Sequence, residues 1–422
     1  MAEAVPLLRS CTHYLRMLRS QYWGRERLRL YQRDRLQKTL EAAAAIPFYG
    51  SQFRATPDAE SLNRLPLLQR SQIPELNRSV RSFYPANQHF ASDRSSGSTG
   101  MPVEFLFDAS HQHSRFAARI RYLRANGWSP LSRNAWIIYL PEDTPDGQLI
   151  RSRLLANTYF LSAFTDVSEQ VRWLRWLDPY YVYTLPSNLE ALVDAFEARG
   201  VRLSSLRGVF CGGEVLDDVI RARTRNVLGV AAVDNYGSTE AFLAWQCPQG
   251  SYHVNAEHVL LEVVDDEGRP VKSGHIGKVL LTTLHNYCMP LVRYEIGDYA
   301  VPVDGSCPCG RTLPLLGRVV GRSVNLFRLE DGRRVSPWAL VVRLKHCDQL
   351  RQFQIVQRTC SRYLLRFVAE SGLGPEQETT LRRDFGAILG DAVEVTFERV
   401  SSIPRSPTGK FMTALSEVAQ YE

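Results

Sequence analysis

The stretch LRGVFCGGE, residues 206–214, decides the fold prediction. Its centre is a short apolar run, and two glycines and a glutamate follow that run at once. A short apolar run bounded by a glycine turn is typical of a strand that is buried on both faces of a sheet. The sequence therefore predicts a buried strand here, with a turn at its carboxyl end.

Strand-like and helix-like segments alternate on the amino-terminal side of this strand. VEFLF (103–107) and AWIIYL (135–140) predict strands, whereas SNLEALVDAFEARG (187–200) predicts an amphipathic helix that ends at Gly200. Residues 1–45 also predict helices, because they contain good helix formers with apolar residues at helical spacing. This alternation indicates an α/β fold of layered sheets and helices.

The pattern changes in the second half of the chain. Residues 255–303 are rich in strand-like segments and predict a small β-subdomain within an N-terminal domain that spans residues 1–321. Residues 322–422 combine a hairpin-like segment with strand and helix patterns. We therefore expect a small, mobile α+β C-terminal domain there.

Composition excludes several classes of protein. The 422 residues are 44% hydrophobic and 23% charged, which is ordinary for a globular chain. No apolar run reaches the roughly 18 residues that span a bilayer, and the N-terminus lacks the apolar core of a signal peptide. We expect a cytoplasmic protein with no membrane partner. The net charge of +7 is not grouped in runs, so it favours small anionic ligands over nucleic acid.

Two short segments carry glycine beside hydroxyl residues. SSGSTGMP (95–102) can turn its backbone N–H groups towards phosphate oxygens, although a flexible linker would look similar. In NYGSTE (235–240), Tyr236 offers a flat face for a purine, Thr239 can hydrogen-bond a phosphate, and Glu240 can hold Mg²⁺. An ordinary strand-to-helix turn is the alternative.

Three further segments gain meaning from their order along the chain. In RYEIGDYA (293–300), Asp298 follows a glycine and can accept hydrogen bonds from two ribose hydroxyls. GRVVGR (317–322) comes just before the composition changes, and PRSPTGK (404–410) places Lys410 near the C-terminus. Each segment alone would pass as an ordinary turn.

Taken together and in this order, the segments resemble the adenylate-forming superfamily of acyl-CoA synthetases and adenylation domains. Within it they are most similar to the phenylacetate–CoA ligase family. The phrases RYEIGD, CPCGRT (307–312) and LDPYYVYTLPSNLEAL (177–192) add to this likeness. The resemblance covers about residues 20–415.

The resemblance implies a nucleotide site and a catalytic lysine. Lys410 would bridge the substrate carboxylate and the α-phosphate, Thr239 would meet that phosphate, and Glu240 would hold Mg²⁺. The segment around Ser95 would surround the outer phosphates, Tyr236 would stack on adenine, and Asp298 would fix the ribose. The nucleotide-binding residues implied in this way are Ser95, Ser96, Gly97, Ser98, Thr99, Gly100, Gly212, Gly213, Glu214, Asn235, Tyr236, Gly237, Ser238, Asp298 and Arg322.

The implied reaction uses ATP to convert a carboxylic acid, which the resemblance implies is aromatic, into an acyl-adenylate. Coenzyme A would then accept the acyl group, with release of AMP and pyrophosphate. Asn325 stands where the family's hinge usually offers an acidic residue or Lys. Transfer to an amine, a hydroxyl or a carrier-protein thiol therefore stays open, as does a non-enzymatic binding protein. The family likeness also allows a homodimer.

Four cysteine and histidine residues suggest a metal site. Cys247 and His253 precede the β-rich region, whereas Cys307 and Cys309 follow it. Three sulfurs and one nitrogen suit tetrahedral Zn²⁺, and a zinc ion could join the two ends of the region. We expect a structural zinc, with four unliganded side chains as the alternative.

Overall fold

A computed structural model describes most of the chain. The described residues are 7–50, 52–53, 57–85, 87–94, 103–138, 140, 150–151, 157–322, 327–331, 334–335, 337–345, 347, 349–390, 392–404 and 412–418. The chain divides into two compact units. The larger comprises Met1–Leu216 and Arg223–Val319, and the smaller comprises Asp217–Ala222 and Val320–Glu422.

The helices of the described chain, in order, are α1 (Leu7–Ser20), α2 (Arg25–Ala45), α3 (Pro47–Gly50), α4 (Ile73–Phe83), α5 (Ala109–Ala125), α6 (Val167–Leu177), α7 (Pro186–Arg199), α8 (Asp218–Leu228), α9 (Trp338–Lys345) and α10 (Pro375–Leu389). The helix predicted to end at Gly200 is α7, and Gly200 has the positive φ of 60° that favours glycine after a helix. In the described ranges, no helix combines the length and apolar character needed to cross a membrane.

The strands of the larger unit are β1 (Ala91–Arg94), β2 (Glu104–Phe107), β3 (Asn134–Ile138), β4 (Ile150–Arg151), β5 (Thr158–Ser162), β6 (Tyr181–Thr184), β7 (Gly208–Gly212), β8 (Ala232–Gly237), β9 (Phe242–Gln246), β10 (Tyr252–Val254), β11 (Val259–Val264), β12 (Gly277–Thr283), β13 (Tyr294–Val303) and β14 (Leu315–Arg322). The smaller unit has β15 (Phe327–Arg328), β16 (Arg334–Val335), β17 (Gln352–Gln357), β18 (Arg362–Val368), β19 (Glu394–Arg399) and β20 (Ala414–Ser416).

One sheet organises the larger unit. Its twelve strands run in the order β11-β12-β13-β14-β10-β9-β8-β7-β6-β3-β5-β4. Strands β5, β3, β6, β7 and β8 are parallel, and the pairing becomes antiparallel between β8 and β9. The strand predicted in LRGVFCGGE is β7, and it lies within the parallel part with four of its five residues buried. The predicted α/β architecture is confirmed.

The β-rich region predicted for residues 255–303 continues this sheet. Strands β11, β12 and β13 lie at its far edge, beyond β14 and β10, and they form no sheet of their own. Their inward side chains join one apolar core with residues of α2, α4 and β2. The sequence pattern identified the strands, but it contains nothing that distinguishes a separate sheet from an extension of an existing one.

The smaller unit has its own sheet and core. Strands β19, β18, β17 and β20 form a four-stranded sheet, and β15 pairs with β16 in a hairpin. Side chains of α9 and α10 pack with this sheet in one hydrophobic cluster that includes Phe327, Tyr363 and Phe385. The unit is therefore an α+β fold.

A buried ion pair joins three parts of the larger unit. Arg121 of α5 contacts Glu257, which follows β10, through Nη1–Oε1 at 2.6 Å and Nη2–Oε2 at 3.0 Å. Each side chain is only 1% exposed. Ser20, at the end of α1, donates to the same carboxylate, and Arg121 also donates to the Asn255 side chain at 2.8 Å. This network fixes α1 and α5 against the antiparallel half of the sheet.

Replacing Arg121 should destabilise the larger unit strongly. Arg121→Met leaves the Glu257 carboxylate buried without its cation, and the free energy of unfolding should fall by about 3–5 kcal/mol. Denaturant titration followed by tryptophan fluorescence measures this unit, because every tryptophan except Trp338 belongs to it.

A matched control removes an exposed ion pair. Arg172 contacts Glu169 at 2.6 Å, but its side chain is 70% exposed. Arg172→Met should change the free energy of unfolding by less than about 1 kcal/mol. Similar losses in the two variants would show that the buried pair has no special role.

Candidate functional site

The carboxyl ends of β7 and β8 form the centre of the site. Asn235 of β8 donates to the carbonyl oxygen of Cys211 and to the Tyr183 hydroxyl, the latter at 3.2 Å. A Cβ atom on Gly212 would lie 2.4 Å from the Asn235 amide nitrogen and 2.7 Å from the Tyr183 oxygen. Glycine at position 212 therefore allows β7 to approach these side chains, and Gly213 continues the turn with a φ of 84°.

A hydrogen bond joins two of the segments that the sequence singled out. The Tyr236 hydroxyl donates to Asp298 Oδ2 at 2.8 Å. The two residues are 62 positions apart, and both are buried, with 7% and 8% of their surfaces exposed. The fold therefore brings NYGSTE and RYEIGD to one place, although most of the Tyr236 ring packs within the core.

The end of NYGSTE is a tight turn between β8 and β9. The Ser238 backbone N–H donates to the Ala241 carbonyl at 2.9 Å, and the Ser238 hydroxyl accepts from the Ala241 N–H at 3.3 Å. This turn connects two strands. The alternative prediction for NYGSTE, an ordinary strand-to-helix turn, is therefore wrong. Glu240, in this turn, is buried, with 4% of its surface exposed.

Arg115 of α5 holds this turn from the other side. Its guanidinium donates to the carbonyl oxygens of Ser238 at 3.4 Å and Thr239 at 3.3 Å. Burial lowers the pKa of Arg115 to about 10 and the nearby Arg119 adds to this, whereas the charges of Asp93 and Glu240 oppose it. Arg115 therefore stays protonated at neutral pH and places a positive charge beside Thr239.

Glu214, the acid of the glycine turn, has a local structural contact. Its Oε2 accepts from the Ser187 backbone N–H at 2.9 Å, in the first turn of α7. A carboxylate at a helix N-terminus is favourable because the first N–H groups of a helix have no partner within it. Glu214 thus fixes the turn after β7 relative to α7.

Several predicted site residues are outside the described residues or are described only in part. Ser95, Ser96, Gly97, Ser98, Thr99 and Gly100 lie outside them, as do Asn325 and Lys410. Arg322 ends β14, but only its backbone is described. The roles given to these residues stay predictions.

The four predicted metal ligands come together. Strands β9 and β10 form a hairpin that presents Cys247 and His253, and the segment between β13 and β14 presents Cys307 and Cys309. All four ligand atoms lie within 4.8 Å of one another. The Cys247 and Cys307 sulfurs are 3.6 Å apart, and Cys309 Sγ lies 3.3 Å from His253 Nε2.

These distances and protonation states fit a zinc ion. A tetrahedral ion with Zn–S bonds of about 2.3 Å would hold its sulfurs roughly 3.8 Å apart. Burial lowers the pKa of His253 to about 4, so its imidazole is neutral and able to coordinate. Burial raises the pKa of Cys247 to about 11, so a cation would have to displace its proton.

Sequence reasoning missed the contribution of α5 to the site. Arg115, Arg119 and Tyr122 follow one another at helical spacing, and Tyr122 donates to the Val233 carbonyl at 3.1 Å. The helix therefore places one face along β8. The spacing of these residues just after the glycine-rich segment 95–102 was the available signal.

Comparison with known families gives two matches along the chain. Residues 156–286 match the AMP-binding enzyme family, and residues 327–417 match the CapK C-terminal domain. The first range contains β7, β8, NYGSTE and two of the four candidate zinc ligands. The second range contains most of the smaller unit.

Two curated relatives and two solved structures are similar over most of the chain. The phenylacetate-coenzyme A ligase of Thermus thermophilus is 28% identical over 354 residues, which cover 79% of each chain. That of Escherichia coli is 26% identical over 412 residues, which cover 90% of this chain and 93% of the relative.

The solved structures show a likeness in fold. A 2-hydroxyisobutyryl-CoA ligase in the postadenylation state has a TM-score of 0.76 at 20% identity, covering 95% of this chain and 93% of that one. An anthranilate CoA ligase in complex with anthranoyl-AMP has a TM-score of 0.57 at 17% identity, covering 82% and 75%.

The close packing at Gly212 generates a prediction. Gly212→Ala should lower the free energy of unfolding by about 1–3 kcal/mol, because the new methyl group overlaps Asn235 and Tyr183. Gly50→Ala is the control, since a Cβ there would meet no atom within 4 Å. Equal stability of the two variants in denaturant titration would show that β7 and β8 do not constrain each other here.

Proposed function

Because this chain belongs to the adenylate-forming enzymes of the phenylacetate–CoA ligase-like family, we propose that it activates a carboxylic acid with ATP and transfers the acyl group to coenzyme A. The observation that carries this proposal is the hydrogen bond between Tyr236 and Asp298. This bond joins the segment that we propose faces the purine to the acid that we propose binds the ribose, at the carboxyl end of the parallel strand β8. Ligands of α/β proteins commonly bind at such an edge.

The first half-reaction joins the acid to the nucleotide. A carboxylate oxygen attacks the α-phosphorus of ATP, the bond from that phosphorus to the β-phosphate bridging oxygen breaks, and pyrophosphate leaves. In the second half-reaction the thiol of coenzyme A loses its proton, its sulfur attacks the acyl carbon, and AMP leaves with the oxygen that it gained. The enzyme accelerates both steps chiefly by positioning the reactants and neutralising charge on the phosphate oxygens.

We propose that three residues provide the positive charge and the Mg²⁺ ligand that neutralise the phosphate oxygens. The Arg115 guanidinium donates to the Thr239 carbonyl oxygen and places a positive charge there, and Lys410 would approach the α-phosphate. Glu240 would hold Mg²⁺, since a carboxylate is the kind of ligand that this cation prefers. The bound Mg²⁺ would neutralise negative charge on the phosphates.

The curated relatives support coenzyme A as the acyl acceptor. Both curated relatives are named as coenzyme A ligases acting on phenylacetate, which favours a thiol over an amine, a hydroxyl or a carrier protein as the acyl acceptor.

A row of three aromatic side chains favours an aromatic acid. On one face of the sheet, Trp136 pairs in register with Phe160 and with Tyr183, and its ring centroid lies 5.6 Å from that of Phe160 and 5.2 Å from that of Tyr183. All three are partly exposed, so we propose that they form the apolar wall of the pocket for an aromatic acid.

We also propose that Cys247, His253, Cys307 and Cys309 bind a structural Zn²⁺. Four protein ligands leave no open position for a substrate, which is the pattern of structural rather than catalytic zinc. The ion would connect the β9–β10 hairpin to the segment before β14. The cytoplasmic location and the homodimer stay predictions from the sequence.

Pyrophosphate release tests the proposed reaction. The full chain with ATP and Mg²⁺ should release pyrophosphate only when a suitable aromatic acid is present, and coenzyme A should increase the rate. Lys410→Ala should lower kcat by about 100-fold or more, because it removes a charge that acts on the reacting phosphate. Acid-independent release, or an unchanged rate in the variant, would contradict the proposal.

Metal analysis tests the zinc site. The purified protein should contain one Zn²⁺ per chain, and Cys247→Ser should abolish this content and lower the Tm by several degrees. Cys11→Ser is the matched control, because Cys11 is exposed and remote from the cluster in sequence. Full zinc content in the Cys247 variant would exclude this site.

A further inference from the structure

One face of α5 lies along β8 and presents a side chain that the proposed reaction does not use. Tyr122 donates to the carbonyl of Val233 at 3.1 Å, near the start of β8. Arg115 donates to the carbonyls of Ser238 and Thr239, just past its end. Arg119 is one turn from Arg115 and three residues from Tyr122, so it faces the middle of the strand.

Arg119 has no ionic partner in the part of the chain that the structure describes. It forms no ion pair and no hydrogen bond there, although it is only partly exposed. Arg115, on the same face, increases the positive charge locally. Two like charges one helical turn apart repel each other. The charges of Asp93 and Glu240 offset this for Arg115, whereas Arg119 forms no ion pair among the described residues.

Arg119 lies near the aromatic row that is proposed to receive the acid. Burial raises the pKa of the Tyr183 phenol, and the positive charge of Arg119 is the largest influence opposing that rise. The charge of Arg119 therefore reaches Tyr183, which belongs to the aromatic row with Trp136 and contacts Asn235 at 3.2 Å. A cation that has no ionic partner among the described residues thus lies near this aromatic row and the carboxyl end of β8.

We propose that Arg119 binds a second carboxylate on the acid that this enzyme activates. The substrate is then an aromatic dicarboxylic acid: one carboxylate attacks the α-phosphorus and the other pairs with the Arg119 guanidinium. Arg119 is a specificity residue that touches the substrate away from the reacting atoms. This inference rests on the proposed function and narrows its substrate class.

The geometry of an arginine suits this task. A guanidinium offers a planar fork that binds a carboxylate through two parallel hydrogen bonds, and a partly desolvated pair of this kind is stronger than one in water. A monoacid of the same shape would leave the cation without a partner. The site should therefore select the diacid by about 10-fold or more.

The test compares matched acids in the full-length enzyme. Benzoate is paired with isophthalate, and phenylacetate with its 2-carboxy derivative, and kcat/KM for pyrophosphate release is measured for each acid together with the KM for ATP. The wild type should prefer the diacid of at least one pair. Arg119→Met should lower kcat/KM for that diacid about 100-fold. It should leave the monoacid within about threefold and the KM for ATP unchanged, and Arg119→Lys should recover part of the loss.

Arg124→Met is the matched control. Arg124 is on the same helix and is exposed, and its one hydrogen bond among the described residues is to the Trp128 carbonyl at 3.4 Å. It should retain the diacid preference. Equal or better use of the monoacids by the wild type would overturn the inference. An increase in the KM for ATP with every acid in Arg119→Met would also overturn it, because the arginine would then serve the phosphates.

Direct binding separates this inference from the proposed function. Calorimetric titration of the same acids in the presence of AMP requires no turnover. Tighter diacid binding that Arg119→Met abolishes would support the inference even if pyrophosphate release failed. Turnover of monoacids without diacid binding would overturn the inference alone. Absence of both binding and turnover would overturn the two proposals together.

Discussion

The change from parallel to antiparallel pairing at β8 is the constraint on which the rest of the structure depends. Strand β8 runs parallel to β7 but antiparallel to β9, so the chain must reverse within Gly237–Ala241. Ser238 closes that reversal through its hydrogen bonds with Ala241. The turn therefore lies at the same edge as the glycines that end β7. Chain reversal, rather than any single side chain, brings the segments of the candidate site to this edge.

The same reversal organises the antiparallel half of the larger unit. It directs β9 and β10 away from the parallel strands, and their hairpin carries Cys247 and His253 towards Cys307 and Cys309. The buried pair of Arg121 and Glu257 then fixes α5 against the segment after β10. Because α5 also contacts both ends of β8, the ion pair helps to hold the helix face beside the site.

The sequence predicted the parts of this fold that are local in character. The apolar run and glycines at residues 206–214, the helix ending at Gly200 and the four zinc-ligand types each leave a pattern in adjacent residues. Sequence could not predict which strands share a sheet, since the pairing of β10 with β14 joins residues about 60 apart. Nor could it identify Glu257 as the partner of Arg121, because burial and pairing depend on tertiary packing.

The central claim is that the acid becomes attached to AMP. It is tested most directly with an acid that carries ¹⁸O in both carboxyl oxygens, followed by mass spectrometry of the products of a complete reaction with ATP and coenzyme A. Attack of the carboxylate on the α-phosphorus predicts that one ¹⁸O atom appears in AMP and the other stays in the thioester. Appearance of ¹⁸O in inorganic phosphate, or of AMP without any ¹⁸O, would contradict the account.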